Sequence, residues 1–272
     1  MSSALRGHLD LVCAPDAAGR THLARQSFAA PMHLSKPHWD GHTLVINAVN
    51  PTAGLFSGDA IDINVHAATG ASALLTSPSA SRVHRARDTE PAARVRQKFS
   101  VESGAWLEVC PEMLIAQAGA RYEQHTTLDV VPGGGLLAID SLAPGRVASG
   151  EVFAFEHVYM RTRLTVDGEL LALENCRLAP GDDSLHPLRV HHAHSYHATW
   201  FAVFPTPVAL PQETISGLSG ATLAAGASAL NERAFIGKIL AADSPSLRRA
   251  VTQVREICYA AAHKSLPKWR KL

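Results

Sequence analysis

Ile63-Asn-Val-His-Ala-Ala-Thr-Gly-Ala-Ser-Ala-Leu-Leu75 alternates apolar and polar side chains, turns at Gly70 and resumes as a second apolar run. Alternation with a period of two on one side of a glycine turn, and an apolar run on the other, reads as two strands. The unit recurs. Phe99-Ser-Val-Glu-Ser-Gly-Ala-Trp-Leu-Glu-Val109 turns at Gly104, Leu128-Asp-Val-Val-Pro-Gly-Gly-Gly-Leu-Leu-Ala-Ile139 at Gly134, and Leu164-Thr-Val-Asp-Gly-Glu-Leu-Leu-Ala-Leu173 at Gly168. These glycines lie about 30 to 34 residues apart, and repeats of that length bury their apolar faces by stacking on one another. The expected fold is mainly β: a β-helix-like solenoid or a sandwich of stacked β-hairpins.

Short alternating runs such as Ala60 to His66 and Thr162 to Val166 carry this texture through residues 1–204. Phe204-Pro-Thr-Pro-Val-Ala-Leu-Pro211 interrupts it. Residues 205–272 then read as a small α+β part with about two helices, in the order helix, strand, strand, helix. The first helix falls near Gln212 to Leu218 and the second starts at Ser244, which can cap it, with Pro245 in the first turn. Leu247, Val251, Val254, Ile257, Cys258 and Ala261 recur along one face of the second helix, so that face is expected to pack on the β body and make one structural unit.

With 272 residues and 29.0 kDa the chain has ample material for a core. Charged residues make up only 18% of it, against about 25% in an average soluble protein. Much of the exterior is therefore uncharged, as on a surface that partners cover, and poor solubility is expected when the chain is expressed alone. Its 25 basic and 24 acidic residues give a formal charge of +1, which provides no footprint for nucleic acid or an anionic membrane. No apolar run approaches the ~18 residues that span a bilayer, and Met1 to Val12 lack a secretory pattern. A cytoplasmic location is expected. Cys13, Cys110, Cys176 and Cys258 are far apart and read as buried thiols.

Histidine is over-represented, with 15 copies, and clusters at His186 and in His191-His-Ala-His-Ser-Tyr-His197. Imidazole is a common ligand of nickel, zinc and copper, so His186, His192 and His194 are candidate ligands, as in a metal-storage or sensing protein. On a strand, however, His192 and His194 would face one side and His191 and His197 the other, so a polar loop or edge strand stays open. Asn50-Pro-Thr-Ala-Gly-Leu-Phe-Ser-Gly-Asp59 is punctuated by glycine but lacks the lysine of a phosphate loop. Asp59 is either a solvated turn acid or part of a polar passage. Asp140-Ser-Leu-Ala-Pro-Gly-Arg-Val-Ala-Ser-Gly-Glu-Val-Phe153 sets Asp140, Arg146 and Glu151 around a Pro-Gly turn in an apolar run. Such charges must be paired or wet: an ion-pair network and a water-filled cation route both fit. Asp140 and Glu151 would suit a hydrolase only if they converged in an open cleft. With no G-x-S-x-G and no H-E-x-x-H in the chain, no enzyme activity is expected.

Taken together, four segments resemble the urease accessory protein UreD (UreH) family: Asn50 to Asp59, Leu75-Thr-Ser-Pro-Ser-Ala-Ser-Arg-Val-His-Arg85, Leu107-Glu-Val-Cys-Pro-Glu-Met-Leu-Ile115 and Asp140 to Phe153. Their order and spacing match the family over about residues 5–200, and the C-terminal quarter matches in outline. Thr52 and Ala53 replace a proline and a glycine of the family's first segment, Ser57 replaces a glycine, and Met113 replaces a proline. The Thr52-Ala53 change argues against the close backbone approach made by the family's loop. The resemblance implies a right-handed β-helix-like protein that is not an enzyme. It further implies binding to a UreF-like accessory protein, recruitment of a UreG-like GTPase through it, and docking of a two-fold heteromeric complex on apo-urease. A water-filled tunnel would pass transient Ni2+, with no permanent cofactor, and Asp59, Ser81, Asp140, Arg146 and Glu151 would lie at or near it. A related protein serving another metalloenzyme is the alternative.

Overall fold

Over residues 4–87, 89–180 and 196–268, which the computed structural model describes, the chain passes back and forth between two sheets. The first contains β1 (Arg6–Pro15), β2 (Thr21–Ala29), β6 (Ala60–Ala67), β9 (Ala93–Val101), β12 (Arg121–Val130), β14 (His157–Val166) and β15 (Glu169–Leu178). Their order across it is β15-β14-β12-β9-β6-β1-β2. The second contains β3 (His33–Leu34), β4 (His38–Asp40), β5 (Thr43–Val49), β7 (Ser72–Thr76), β8 (Ser81–Val83) and β10 (Trp106–Val109). It continues with β11 (Leu114–Ala116), β13 (Gly135–Ala143), β16 (Tyr196–Val203), β17 (Leu223–Ala229) and β18 (Ala234–Ala241). Its main path is β17-β18-β16-β13-β10-β7-β5-β3.

The repeated unit explains this alternation. In the first three copies the strand before the glycine turn (β6, β9, β12) joins the first sheet, and the strand after it (β7, β10, β13) joins the second. Successive copies pair in parallel in both sheets. These three units are therefore not hairpins, which corrects that half of the expectation. Only the fourth unit is one: β14 and β15 pair antiparallel within the first sheet, across an Asp167-Gly168 turn in which both residues have positive φ. In the third unit the left-handed residue is Gly133 rather than Gly134.

Residues 205–268 contribute α1 (Gln212–Ser216), β17, β18 and α2 (Ser244–Ala261) in that order. Asp243, not Ser244, caps α2: its carboxylate accepts from the Ser246 N–H at 2.6 Å, and Ser244 is the first helical residue. The stripe packs as expected, with Leu247, Val254 and Cys258 buried against the outer face of the second sheet. The molecule thus has three layers and two cores. On β13, Leu136, Ala138 and Leu142 face the first sheet, while Leu137 and Ile139 face the helices. In the outer core Arg255 of α2 donates to Glu108 of β10 through Nε and, at 3.0 Å, through Nη2, and the Tyr259 hydroxyl donates to Glu108 at 2.7 Å. Cys13, Cys110 and Cys258 are buried and Cys176 is half-buried, all four as free thiols.

Candidate functional site

The inner face of the first sheet is apolar in most cross-strand rows, for example Leu11, Val65, Phe99, Leu128 and Leu164. Two residues back along the strands the row changes character. Ile63 is followed across the sheet by Gln97, Thr126, Thr162 and Glu174. Facing it on the second sheet is the row Asp140, Thr199 and Lys238. The result is a polar seam crossing the inter-sheet core from β9 to β18. Buried polar groups cost stability unless they are bonded, and here they form a chain. The Tyr122 hydroxyl donates to Gln124 at 2.7 Å, Gln124 Nε2 donates to Thr126 at 3.2 Å and to Asp140 Oδ2 at 2.9 Å, and the Thr126 hydroxyl meets Gln97 Oε1 at 3.1 Å.

A cavity of about 310 Å³ opens on this seam. Exposed residues Thr52, Ala53, Ser79 and Ser81 line its solvent side, and Gln97, Tyr122, Gln124 and Asp140 line its depth. Asp140 and Met160 also line a second void of about 20 Å³, together with Thr162, Glu174, Cys176 and His197. A void needs about 10–15 Å³ to take one water molecule, so the smaller one suffices for a single water or a bare cation. Asp140 stands between the two.

Asp140 lies far from the outer surface, and burial raises its pKa to about 6, opposed by the hydrogen bond from Gln124. Its side chain nevertheless lines the cavity and is only partly shielded from solvent. Burial, helped by nearby Lys238, lowers the pKa of His197 to about 4 and keeps its ring neutral. Burial raises the Cys176 thiol. At the far end Lys238 forms an ion pair with Glu174.

Of the five residues expected near a passage, the structure brings Asp140 and Ser81 to one cavity; the other three do not line it. The buried Asp59 carboxylate accepts from the N–H groups of Leu5 and Phe56, both at 2.8 Å, which fixes the loop before β6. Glu151 accepts from the Ala118 N–H at 3.0 Å and from Arg146 Nε at 2.8 Å, clamping the turn after β13. Glu151 does not line the cavity that Asp140 lines, so these two acids do not form the convergent pair considered in the sequence. The close backbone approach that Thr52 and Ala53 argued against is made at Gly54. There φ is +141°, and a Cβ would lie 2.5 Å from the Arg82 carbonyl oxygen.

The histidine candidates His186, His192 and His194 lie outside the described residues. Among the described residues no three His, Cys, Asp or Glu side chains converge closely enough to hold a metal ion. No helix among them is long and apolar enough to cross a membrane. Sequence reasoning missed Gln97, Gln124, Glu174 and Lys238, and also Glu112, which lines the cavity and pairs with Arg248 of α2 at 2.8 Å; His197 it placed only within the histidine cluster. One signal was available: once Leu128 and Val130 are read as facing inward, alternation places Thr126, Gln124 and Tyr122 on the same face.

Comparison with known proteins adds relationship to geometry. The family model described as UreD urease accessory protein matches residues 5–270. The urease accessory protein UreD of Opitutus terrae is 37% identical over 257 residues, covering 92% of this chain and 93% of that protein. Proteins of the same name from Chromohalobacter salexigens and Deinococcus radiodurans are 33% and 31% identical, covering 75% and 88% of this chain and 67% and 84% of their own lengths.

Proposed function

This chain belongs to the UreD urease accessory protein family, and we propose that it acts in urease maturation as a non-enzymatic conduit for nickel. In this reading the two-sheet body is β-helix-like and remains in the cytoplasm. It joins a UreF-like protein and, through it, a UreG-like GTPase, in a two-fold heteromer on apo-urease. The ion enters the larger cavity, passes Asp140 and leaves along the seam toward Glu174. The observation that carries the proposal is the continuity of cavity, Asp140 and second void along one polar row.

The chemistry is consistent with transport. Nickel is a borderline cation that accepts carboxylate and imidazole ligands. Conduction needs contacts strong enough to admit the ion and weak enough to release it. Single carboxylates and neutral polar groups spaced along a row meet that need better than a converged cage. Below pH about 6 Asp140 takes up a proton, so nickel transfer should weaken as the medium is acidified through that value.

The test compares alanine substitutions at Asp140, Asp59 and Glu151, reading complex assembly by size-exclusion chromatography and the nickel content of the matured urease. Asp140→Ala should assemble normally and deliver several-fold less nickel. Asp59→Ala and Glu151→Ala remove acceptors from backbone N–H groups, so their losses should appear as instability and poor assembly. Full nickel content with Asp140→Ala would exclude this route.

A further inference from the structure

We propose that the outer face of the first sheet, around Arg96, His125, Arg161 and Arg163 and edged by Leu170 and Leu173, docks an acidic amphipathic segment of a partner protein. The strands whose inward side chains form the seam turn these residues the other way. Arg96, His125 and Arg161 stand side by side on β9, β12 and β14, so the two arginines lie two strand spacings, about 10 Å, apart along the row. Arg163 follows Arg161 on the same face of β14. All four side chains are exposed.

The chain as a whole is almost neutral, with a formal charge of +1, yet this face concentrates uncompensated positive charge. Nearby on the same face Arg94 pairs with Glu123 at 2.9 Å and Lys98 with Asp129 at 3.8 Å. Arg96, Arg161 and Arg163 form no ion pair among the described residues. One acid shares the row: Asp62, opposite Arg96 on β6 and exposed. A single carboxylate against three guanidinium groups leaves the cluster positive, and like charges at neighbouring strand positions cost stability. Carboxylates from outside would relieve that cost. Beside the cluster, on β15 at the end of the sheet, Leu173 lies opposite Arg163 and Leu170 opposite Thr165, 46% and 47% exposed. Arginine is enriched at protein interfaces, and the leucines give the basic surface an apolar margin. They also decide the class of partner. A phosphate backbone would neutralise the arginines and leave the leucines wet, whereas an acidic segment with one apolar side covers both. The contact adds to the function proposed above and does not depend on nickel passing through the core.

The experiment measures binding of the full-length chain to a fluorescein-labelled amphipathic peptide of glutamate and leucine residues, by anisotropy at neutral pH. Labelled oligothymidylate is the competing probe. Exposed ion pairs contribute little singly, but reversing two cations turns attraction into repulsion, so Arg96→Glu/Arg161→Glu should weaken peptide binding by roughly tenfold. Leu170→Ser/Leu173→Ser should weaken it several-fold. Arg25→Glu/Arg249→Glu changes the net charge equally at exposed positions on β2 and α2 and should match wild type. Should the glutamate pair fail to fold, Arg96→Gln/Arg161→Gln replaces it, with a smaller loss in the same direction. An unchanged affinity in either arginine pair, at an unchanged unfolding midpoint, would overturn the assignment. So would an equal loss in Arg25→Glu/Arg249→Glu, which would trace binding to net charge, and so would tighter binding of oligothymidylate than of the peptide. An affinity that the serine pair leaves unmoved would overturn the apolar margin. A second arm places a photo-crosslinking benzoylphenylalanine at position 125 in cells and maps its products by mass spectrometry. Crosslinks to an acidic segment of another protein support the proposal, and their absence, or crosslinks confined to non-acidic segments, would contradict it.

Discussion

Replacing Arg255 by methionine is expected to destabilise the fold by about 3–5 kcal/mol. Arg255 and Glu108 are 5% and 0% exposed at the side chain, between α2 and the second sheet. Removal of the guanidinium leaves a carboxylate in an apolar core with, among the described residues, the Tyr259 hydroxyl as its remaining side-chain donor. The cost comes from that stranded charge, since bringing the intact pair out of water already cancels much of its attraction. Replacing all three groups should therefore be milder than replacing one. Glu108→Leu/Arg255→Met/Tyr259→Phe removes the charge and also the hydroxyl that would lose its acceptor, and should recover most of the loss. Urea unfolding of the three proteins checks this. A loss below about 1 kcal/mol in Arg255→Met would place the pair in the range of solvated surface bridges.

Asp140→Asn should have the opposite sign. Burial raises the folded pKa of Asp140 above its ordinary value near 4, to about 6, so the fold favours the protonated acid. The penalty for the charged form is absent below the unfolded value, grows as pH rises from about 4 to about 6, and is constant above. The amide carries no such penalty. Asp140→Asn should thus be more stable than wild type at pH 7.5 by at most about 3 kcal/mol, reduced by the cavity water that still reaches the carboxylate. At pH 4 the gap should close. Paired urea titrations at the two pH values measure it, and equal stability at both would mean that the carboxylate is as well hydrated inside as outside.

The repeat made the β body readable, because a glycine turn flanked by strands is a local pattern. What the turn connects is not local. The same unit bridges two sheets at Gly70, Gly104 and Gly133 but closes a hairpin at Gly168, and the choice follows from which neighbours stack on each strand. The helix stripe was legible for the same local reason, and its cap was misplaced by one residue because Asp243 and Ser244 are both good capping residues. Among the residues expected near a passage, Asp140 and Ser81 line the larger cavity. Asp59 and Glu151 sit in equally suggestive motifs, yet their oxygens are taken by backbone N–H groups of Leu5 and Ala118. Residue type and spacing announce an acid but not its hydrogen-bond partner. Lys238 and Glu174 meet across 64 residues of chain, and Arg255 and Glu108 across 147, separations at which no sequence pattern signals contact.

The most direct measurement closes the larger cavity without altering its charges. Ser81→Cys puts a thiol at the exposed wall of the cavity, where it can be labelled with either a bulky maleimide or a small methylthio group while the native thiols are buried or half-buried. Complexes carrying each label are isolated, their assembly is confirmed, and the nickel content of the urease they mature is determined by mass spectrometry. Nickel entry through this cavity predicts that the bulky label abolishes delivery and the small one preserves it. Equal nickel content with both labels would mean that the ion reaches urease by another path.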